Sequence, residues 1–303
     1  MTLALLITGS TGQLGSELTR QAQRARDVVF ARGLTRQEVD LTDPFSVRDT
    51  VQEWARVVRS DSPAHRMVVV NCAAYAAVDA AEEDEETAYA VNAAGPALLA
   101  TVCGQVGARL AQVSTDYVFA GDAQIPYETE DPTGPCTAYG RTKLAGEQAV
   151  RELLSEASWV VRTAWLYGGG GTNFVRTMAS LEATRETVSV VDDQVGSPTW
   201  AGDLASGLLA LARSEAPSGT YHASNLGAVS WFGLARAVFE ELGADPERVL
   251  PTDSSAYRRP APRPAYSVLS PSAWNAAGLP AFQGWRDALA EAFRVEGDAL
   301  RAG

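Results

Sequence analysis

Two residues four apart offer the most specific chemistry in the chain. Tyr139 and Lys143 stand in AYGRTKLAGE (138–147), and Lys143 is the only lysine among 25 lysines and arginines. The stretch TAYGRTKLAGEQAVRELL (137–154) reads as a helix, where side chains at i and i+4 share a face. An ammonium beside a phenol favours phenolate and is expected to lower the tyrosine pKa towards neutrality. Such a tyrosine passes a proton to a carbonyl oxygen while hydride arrives at carbon. Lysine suits this role as a compact charge with rotatable donors that also reach ribose hydroxyls, whereas guanidinium is planar and bulkier. The competing reading is an accidental exposed pair. A third member should hydrogen-bond the substrate carbonyl. Thr115, after Ser114 in QVSTDYVF (112–119), falls at the expected end of a parallel strand, the edge where such sheets bind ligands. A hydroxyl there equally serves as a turn cap.

A second motif, TGSTGQLG (8–15), sets Gly9, Gly12 and Gly15 between an apolar strand and a helix. The first glycine permits a sharp turn, the second a close approach to pyrophosphate, the third tight helix–strand packing. A dinucleotide is expected. The acidic residue that would bind the adenosine ribose should close the second strand. Arg32 and Arg36 stand there instead, and Asp40 arrives later. Arginine pairs with a 2′-phosphate, so NADPH is favoured over NADH, with NADH accepted as a second cofactor. Otherwise either arginine is a solvated loop charge.

Positioning these residues takes alternating strands and helices. LALLIT (3–8), DVVFA (27–31), RMVVVNCA (66–73), ARLAQVST (108–115) and WVVRTAWLYG (159–168) read as buried strands, with helical patterns between them. A long acidic helical region runs from about Asp79 to Val106, interrupted near Gly95-Pro96. The expected fold is α/β: a Rossmann-type doubly wound parallel sheet with a smaller C-terminal α/β substrate domain. Residues 1–165 form the nucleotide domain, joined by returning segments from about 187–225, and 166–303 form a discontinuous substrate part. In that part TVSVVDDQVGSPT reads as one strand and a turn-rich loop.

Composition narrows the function. The chain has 303 residues, a net charge of −12 and a pI near 4.7. That field repels phosphate backbones, so nucleic acid is not an expected partner, and an anionic substrate needs local arginines to overcome it. No apolar run reaches membrane-spanning length, and MTLALLITGS reads as a first strand, not a signal peptide. Cys72, Cys103 and Cys136 lack paired spacing, which suggests reduced thiols and a cytoplasmic location.

Together GxxGxxG, a strand-end threonine and Tyr-xxx-Lys resemble the extended short-chain dehydrogenase/reductase family. ITGSTGQLGSEL, DLTDP, VNCAAYAAVDAAE, STDYVFAGD, VVDDQVGSPTW and RPAPRPAYSVL are similar to its reductases of dTDP-bound 4-keto-6-deoxy sugars. The resemblance runs from about residue 3 to 290. It implies Tyr139 as acid, Lys143 as its partner and Thr115 as hydroxyl donor. It places Gly9, Thr11, Gly12, Gln13 and Leu14 in the phosphate loop, Asp40 and Leu41 beside the adenine, and Ala73, Ala74 and Tyr75 along the cofactor. Val78, Tyr117 and Trp165 resemble sugar-pocket residues. Arg263 lies in the loop that would meet the substrate diphosphate, with Arg258 and Arg259 as weaker candidates.

The match departs from the family at Ala76, where a hydroxyl is common, and at Val268. Some relatives dimerise through magnesium held by glutamates. Glu17 fits one such position, but Gly202 and Asp203 fall near another without a glutamate, so no metal is expected, and the chain is a monomer or homodimer. Two other readings keep the fold. A sugar-nucleotide dehydratase or epimerase typically needs an Asp-Glu pair after the threonine, where Asp116-Tyr117 stands. A non-catalytic cofactor-binding regulatory subunit would not need Tyr139, Lys143 and Thr115 together.

Overall fold

The computed structural model describes residues 2–302. The chain runs β1 (Leu3–Thr8), α1 (Gln13–Arg24), β2 (Val28–Leu34), α2 (Pro44–Asp61), β3 (Arg66–Asn71), α3 (Val78–Ala81), α4 (Glu85–Tyr89), α5 (Gly95–Gln105), β4 (Arg109–Thr115), α6 (Ala138–Leu153) and β5 (Ser158–Thr163). The second half gives β6 (Leu166–Tyr167), α7 (Phe174–Thr184), β7 (Val188–Val191), β8 (Val195–Gly196), β9 (Thr199–Trp200), α8 (Ala201–Arg213), β10 (Gly219–His222), β11 (Val229–Ser230), α9 (Trp231–Glu241), β12 (Val249–Thr252), α10 (Ser272–Ala276) and α11 (Trp285–Arg301).

Six strands form one sheet in the order β10-β5-β4-β3-β1-β2, parallel throughout. Every residue of β1 is buried, which explains its unbroken apolar run: helices cover both faces of a parallel sheet. Leu3, Leu5 and Ile7 meet α1 and α8 on one face; Ala4 and Leu6 meet α2 and α5 on the other. The chain passes from β1 outward to β2, then returns across β1 to β3. That reversal is the topological switch point, where the carboxyl ends of the strands open a crevice. The fold is therefore the expected doubly wound α/β architecture.

A separate core unites α7, α9 and α11 with β7 and β12. Small two-stranded sheets pair β7 with β12, β8 with β11 and β6 with β9. The stretch 201–223 returns to the large sheet, bringing α8 and β10, and α10 with Leu279 and Phe282 packs on the same core. The stretch 188–200 forms strands of the small sheets.

Three elements differ from the sequence reading. β2 continues to Leu34, which puts Arg32 inside the strand opposite Leu6. The helical region breaks at Glu82–Asp84, and Gly95-Pro96 instead follows a wide helical turn, Ala90–Ala94, without interruption. The run 159–168 splits at Ala164-Trp165. Trp165 has φ 46°, the only positive φ at a non-glycine residue among the described residues, and that turns the chain out of the sheet.

Candidate active site

The switch point holds a cleft of about 270 Å³, lined by Thr8, Gly9, Thr11 and Gly12 at its floor and by Arg36, Asp40, Leu41, Ala73, Ala74 and Tyr75 along its walls. Gly9 has φ 69°, and a Cβ there would come within 2.7 Å of the Ala73 nitrogen, so only glycine fits. Gly12 caps α1 with no side chain on the helix N–H groups. Those free donors and the helix dipole fit a pyrophosphate, so the residues present suit a dinucleotide. Leu14 contributes only its backbone, since its side chain is core. The Gln13 side chain turns away from the cradle, donating to the Thr172 carbonyl at 3.3 Å and accepting from Asn173 at 3.1 Å.

At the adenosine end the two arginines separate. Arg36 lines the cleft. Arg32 does not; its exposed guanidinium lies 3.9 Å from Glu38. The Asp40 carboxylate accepts from both the Thr42 N–H (2.9 Å) and hydroxyl (2.7 Å), bonds that hold its pKa below the ordinary value. It is thus committed to the turn.

At the other end, α6 brings Tyr139 to the carboxyl end of β4. Thr137 caps the helix by accepting from the Gly140 N–H at 3.0 Å. A Cβ on Gly140 would sit 2.2 Å from the Tyr117 carbonyl oxygen, so glycine lets the helix press against the 115–118 turn. The rings of Tyr139 and Tyr117 meet edge to face, 5.6 Å apart. Thr115 does act as the cap of that turn, accepting from the Tyr117 N–H at 3.2 Å. Its own hydroxyl donates to Asp116 at 2.9 Å.

The charge states correct one expectation. Burial pushes the Tyr139 phenol up to about 12, only partly offset by the nearby Thr115 hydroxyl. The Lys143 ammonium does not depress it, because it is buried on the Val113 carbonyl oxygen at 2.6 Å. Burial lowers Lys143 to about 8, against the opposing pull of Glu147 one turn on. Asp116 is raised to about 6 by burial, and its Oδ2 has no protein partner.

A second pocket adjoins this end, lined by Tyr117, Phe119, Cys136 and Arg263 among others. Arg263 donates to Asp79 at 2.8 Å, and Arg259 lies 3.7 Å from the same carboxylate. Two arginines against one carboxylate leave a local excess of one positive charge. Arg258 is exposed. Val78 opens α3 beside Asp79. Trp165 packs its indole flat on Trp231, centroids 3.5 Å apart.

Two contributors were not singled out from sequence. Asp79 carried no recognisable signal beyond its place after Val78. Asn92 sits buried in the wide turn before α5. It bonds the Tyr75 N–H and carbonyl at 2.9 and 3.1 Å and the Thr142 hydroxyl at 3.1 Å, tying the cofactor wall to α6. Such turns often mark functional positions in helices.

A dinucleotide cleft whose wall at Tyr75 shares an apolar cluster with Tyr139, together with the buried Lys143 ammonium and Thr115 hydroxyl, defines a nicotinamide-dependent oxidoreductase, and this protein is one. The family described as RmlD substrate binding domain matches residues 2–296. The chain is 52% identical over 293 residues to a dTDP-4-dehydrorhamnose reductase of Streptomyces griseus, covering 95% of this chain and 92% of that one. It is 53% identical over 294 residues to the enzyme of that name from Mycobacterium tuberculosis, covering 95% and 91%. The dTDP-4-dehydrorhamnose reductase of Bacillus anthracis in complex with NADP superposes with a TM-score of 0.88 at 36% identity, covering 97% of this chain and 99% of that one. The chain belongs to the dTDP-4-dehydrorhamnose reductase family.

Proposed function

We propose that this protein is a cytoplasmic enzyme that reduces the C4 keto group of dTDP-4-dehydro-L-rhamnose to dTDP-L-rhamnose, the last step of dTDP-rhamnose synthesis, with NADPH as cofactor and Tyr139 as proton donor. The observation that carries this reading is the position of Tyr139, which shares the Ala81–Ala88–Ala138 cluster with Tyr75 of the cofactor wall and meets the ring of Tyr117 of the Arg263 pocket edge to face.

Bound nicotinamide supplies hydride to the keto carbon. A phenol with its pKa near 12 is fully protonated at neutral pH, as a donor must be. It gives its proton to the oxygen as negative charge develops there. Thr115 turns its hydroxyl from Asp116 to the same oxygen, and the buried Lys143 ammonium holds the phenolate left behind until solvent restores the proton. Arg263 and Arg259 hold the diphosphate of the dTDP-sugar, and Trp165, Val78 and Tyr117 border the sugar. Arg36, free of any carboxylate partner among the described residues and on the cleft wall, favours the 2′-phosphate of NADPH. The dehydratase reading is disfavoured: burial, and then Asp116, raise Tyr117 above an ordinary phenol, so it cannot act as a base.

The test is a spectrophotometric assay of NADPH and NADH oxidation with the 4-keto sugar nucleotide. Oxidation that depends on the sugar nucleotide and is faster with NADPH is expected. Reduced cofactor left unconsumed in its presence would remove the reading.

A further inference from the structure

A row of buried polar side chains crosses the sheet behind Lys143. Thr8, Asn71 and Gln112 are lateral neighbours on β1, β3 and β4. The Thr8 hydroxyl donates to Asn71 Oδ1 at 2.5 Å, and Asn71 Nδ2 donates to Gln112 Oε1 at 2.7 Å. Gln112 Nε2 then donates to the Val113 carbonyl at 2.9 Å, the oxygen that also holds the Lys143 ammonium at 2.6 Å. All four side chains are buried. One end of this row lies at the floor of the dinucleotide cleft, through Thr8, and the other at the ammonium.

We propose that Gln112 is a positioning residue for Lys143: its carboxamide, clamped in place by Asn71 and Thr8, shares the Val113 oxygen with the ammonium and sets how readily that ammonium reaches towards the phenol and the cofactor. The inference rests on the function proposed above. A carbonyl oxygen has two lone pairs. With Gln112 on one of them, the oxygen is not left bare when Lys143 loosens its hold, and a bare buried acceptor is costly. Without Gln112, Lys143 alone holds the oxygen from outside the sheet, and the ammonium stays on its perch. Asn71 fixes which end of the Gln112 amide faces Val113, because it occupies the Gln112 oxygen with a donor. The row therefore has a direction, from cleft floor to lysine.

The test is a double-mutant cycle in the NADPH-dependent reduction of dTDP-4-dehydro-L-rhamnose. Gln112→Met, of similar size, is expected to lower kcat about tenfold, the factor one unmade hydrogen bond is worth, with the KM of the sugar nucleotide unchanged. The alkaline limb of its pH profile moves upward, since an oxygen serving only the ammonium favours the charged form. In a Lys143→Met background, Gln112→Met should cost less than a further twofold. If Gln112→Met fails to fold, Gln112→Asn carries the test: it keeps an amide in the row on an arm too short to reach Val113. A loss that multiplies independently of Lys143→Met, or a lowered melting temperature with kcat and pH profile intact, overturns the inference. Lys143→Met at the wild-type rate would instead sink the proposed function itself.

Discussion

Asp79 holds Arg263 at 2.8 Å and, through a second oxygen, accepts from the Ala261 N–H at 3.3 Å, so one carboxylate ties the arginine-rich loop of the C-terminal part to α3. α3 follows directly on the cofactor wall at Ala73–Tyr75. The loop that would meet the diphosphate is thus aimed from the cofactor side. Asp79→Asn keeps the shape and removes the charge. For a half-exposed pair about 1 kcal/mol is at stake, so the KM for the sugar nucleotide should rise roughly fivefold while the NADPH KM holds steady. Steady-state kinetics with each substrate varied would decide it, and an unchanged sugar-nucleotide KM would count against the loop's role.

Tyr139→Phe removes one oxygen from a packed site. NADPH binding, followed by fluorescence, should be nearly unaffected, while turnover drops by a factor on the order of a hundred or more. Lys143→Arg should be severely impaired as well, despite its retained charge, because the planar fork cannot occupy the space beside the Val113 oxygen. Wild-type turnover in Tyr139→Phe would show that another group supplies the proton.

What the sequence revealed of this site follows local geometry. Tyr139 and Lys143 were legible because i and i+4 on a helix fix a shared face, and Gly9 because a strand–turn–helix leaves few residues able to make its turn. The charge state of Tyr139 was not legible. It depends on packing against Ala81, Ala88 and Ala138 and on where the ammonium rests, both tertiary facts. Asn92 was hidden because a widened helical turn has no spacing signature. Trp165 reads as mid-strand because apolar residues flank Arg162 and Thr163 on both sides, and nothing local announces a left-handed φ at tryptophan. Arg32 was misplaced by three residues of strand: the apolar run ends at Ala31, but pairing with β1 carries β2 on to Leu34.

The adenosine end makes a prediction about cofactor choice. Arg36 borders the cleft while Asp40 is occupied by Thr42. A guanidinium–phosphate contact is worth about 1.5–3 kcal/mol. Arg36→Ala should therefore raise the NADPH KM roughly tenfold or more and leave the NADH KM near wild type. Arg32→Ala, on the strand and facing Glu38, should change neither. Equal effects of Arg36→Ala on both cofactors would mean that the arginine does not read the 2′-phosphate.

Lys143 sets an alkaline limit. Burial lowers its pKa to about 8, so the ammonium is lost as pH rises through that value. Turnover should fall above about pH 8, a limb absent from Lys143→Arg. Stability runs the other way. The unfolded lysine keeps its proton up to its ordinary pKa of 10.5, so between about 8 and that value the unfolded chain binds more protons and this group's contribution to stability rises with pH. Activity and melting temperature measured together across this range should move in opposite directions. A kcat flat to pH 10 would show that the ammonium is not needed in charged form.

At acid pH two buried groups oppose each other. His222, at the end of β10, has no protein partner on either ring nitrogen, and burial together with the nearby Arg162 charge lowers it to about 3. As pH falls from 6.5 towards 3 the unfolded histidine takes a proton that the folded one refuses, so the stability it contributes above 6.5 is lost. Asp116 is raised to about 6, so between about 6 and its ordinary 3.8 the folded state takes the extra proton and this group's contribution grows as pH falls. Urea midpoints at pH 6.5 and pH 4 should separate them. His222→Gln should lose less stability over that interval than the wild type, by about 3 kcal/mol, and Asp116→Asn should lose more. Identical slopes in all three proteins would mean that neither group is held away from its ordinary pKa.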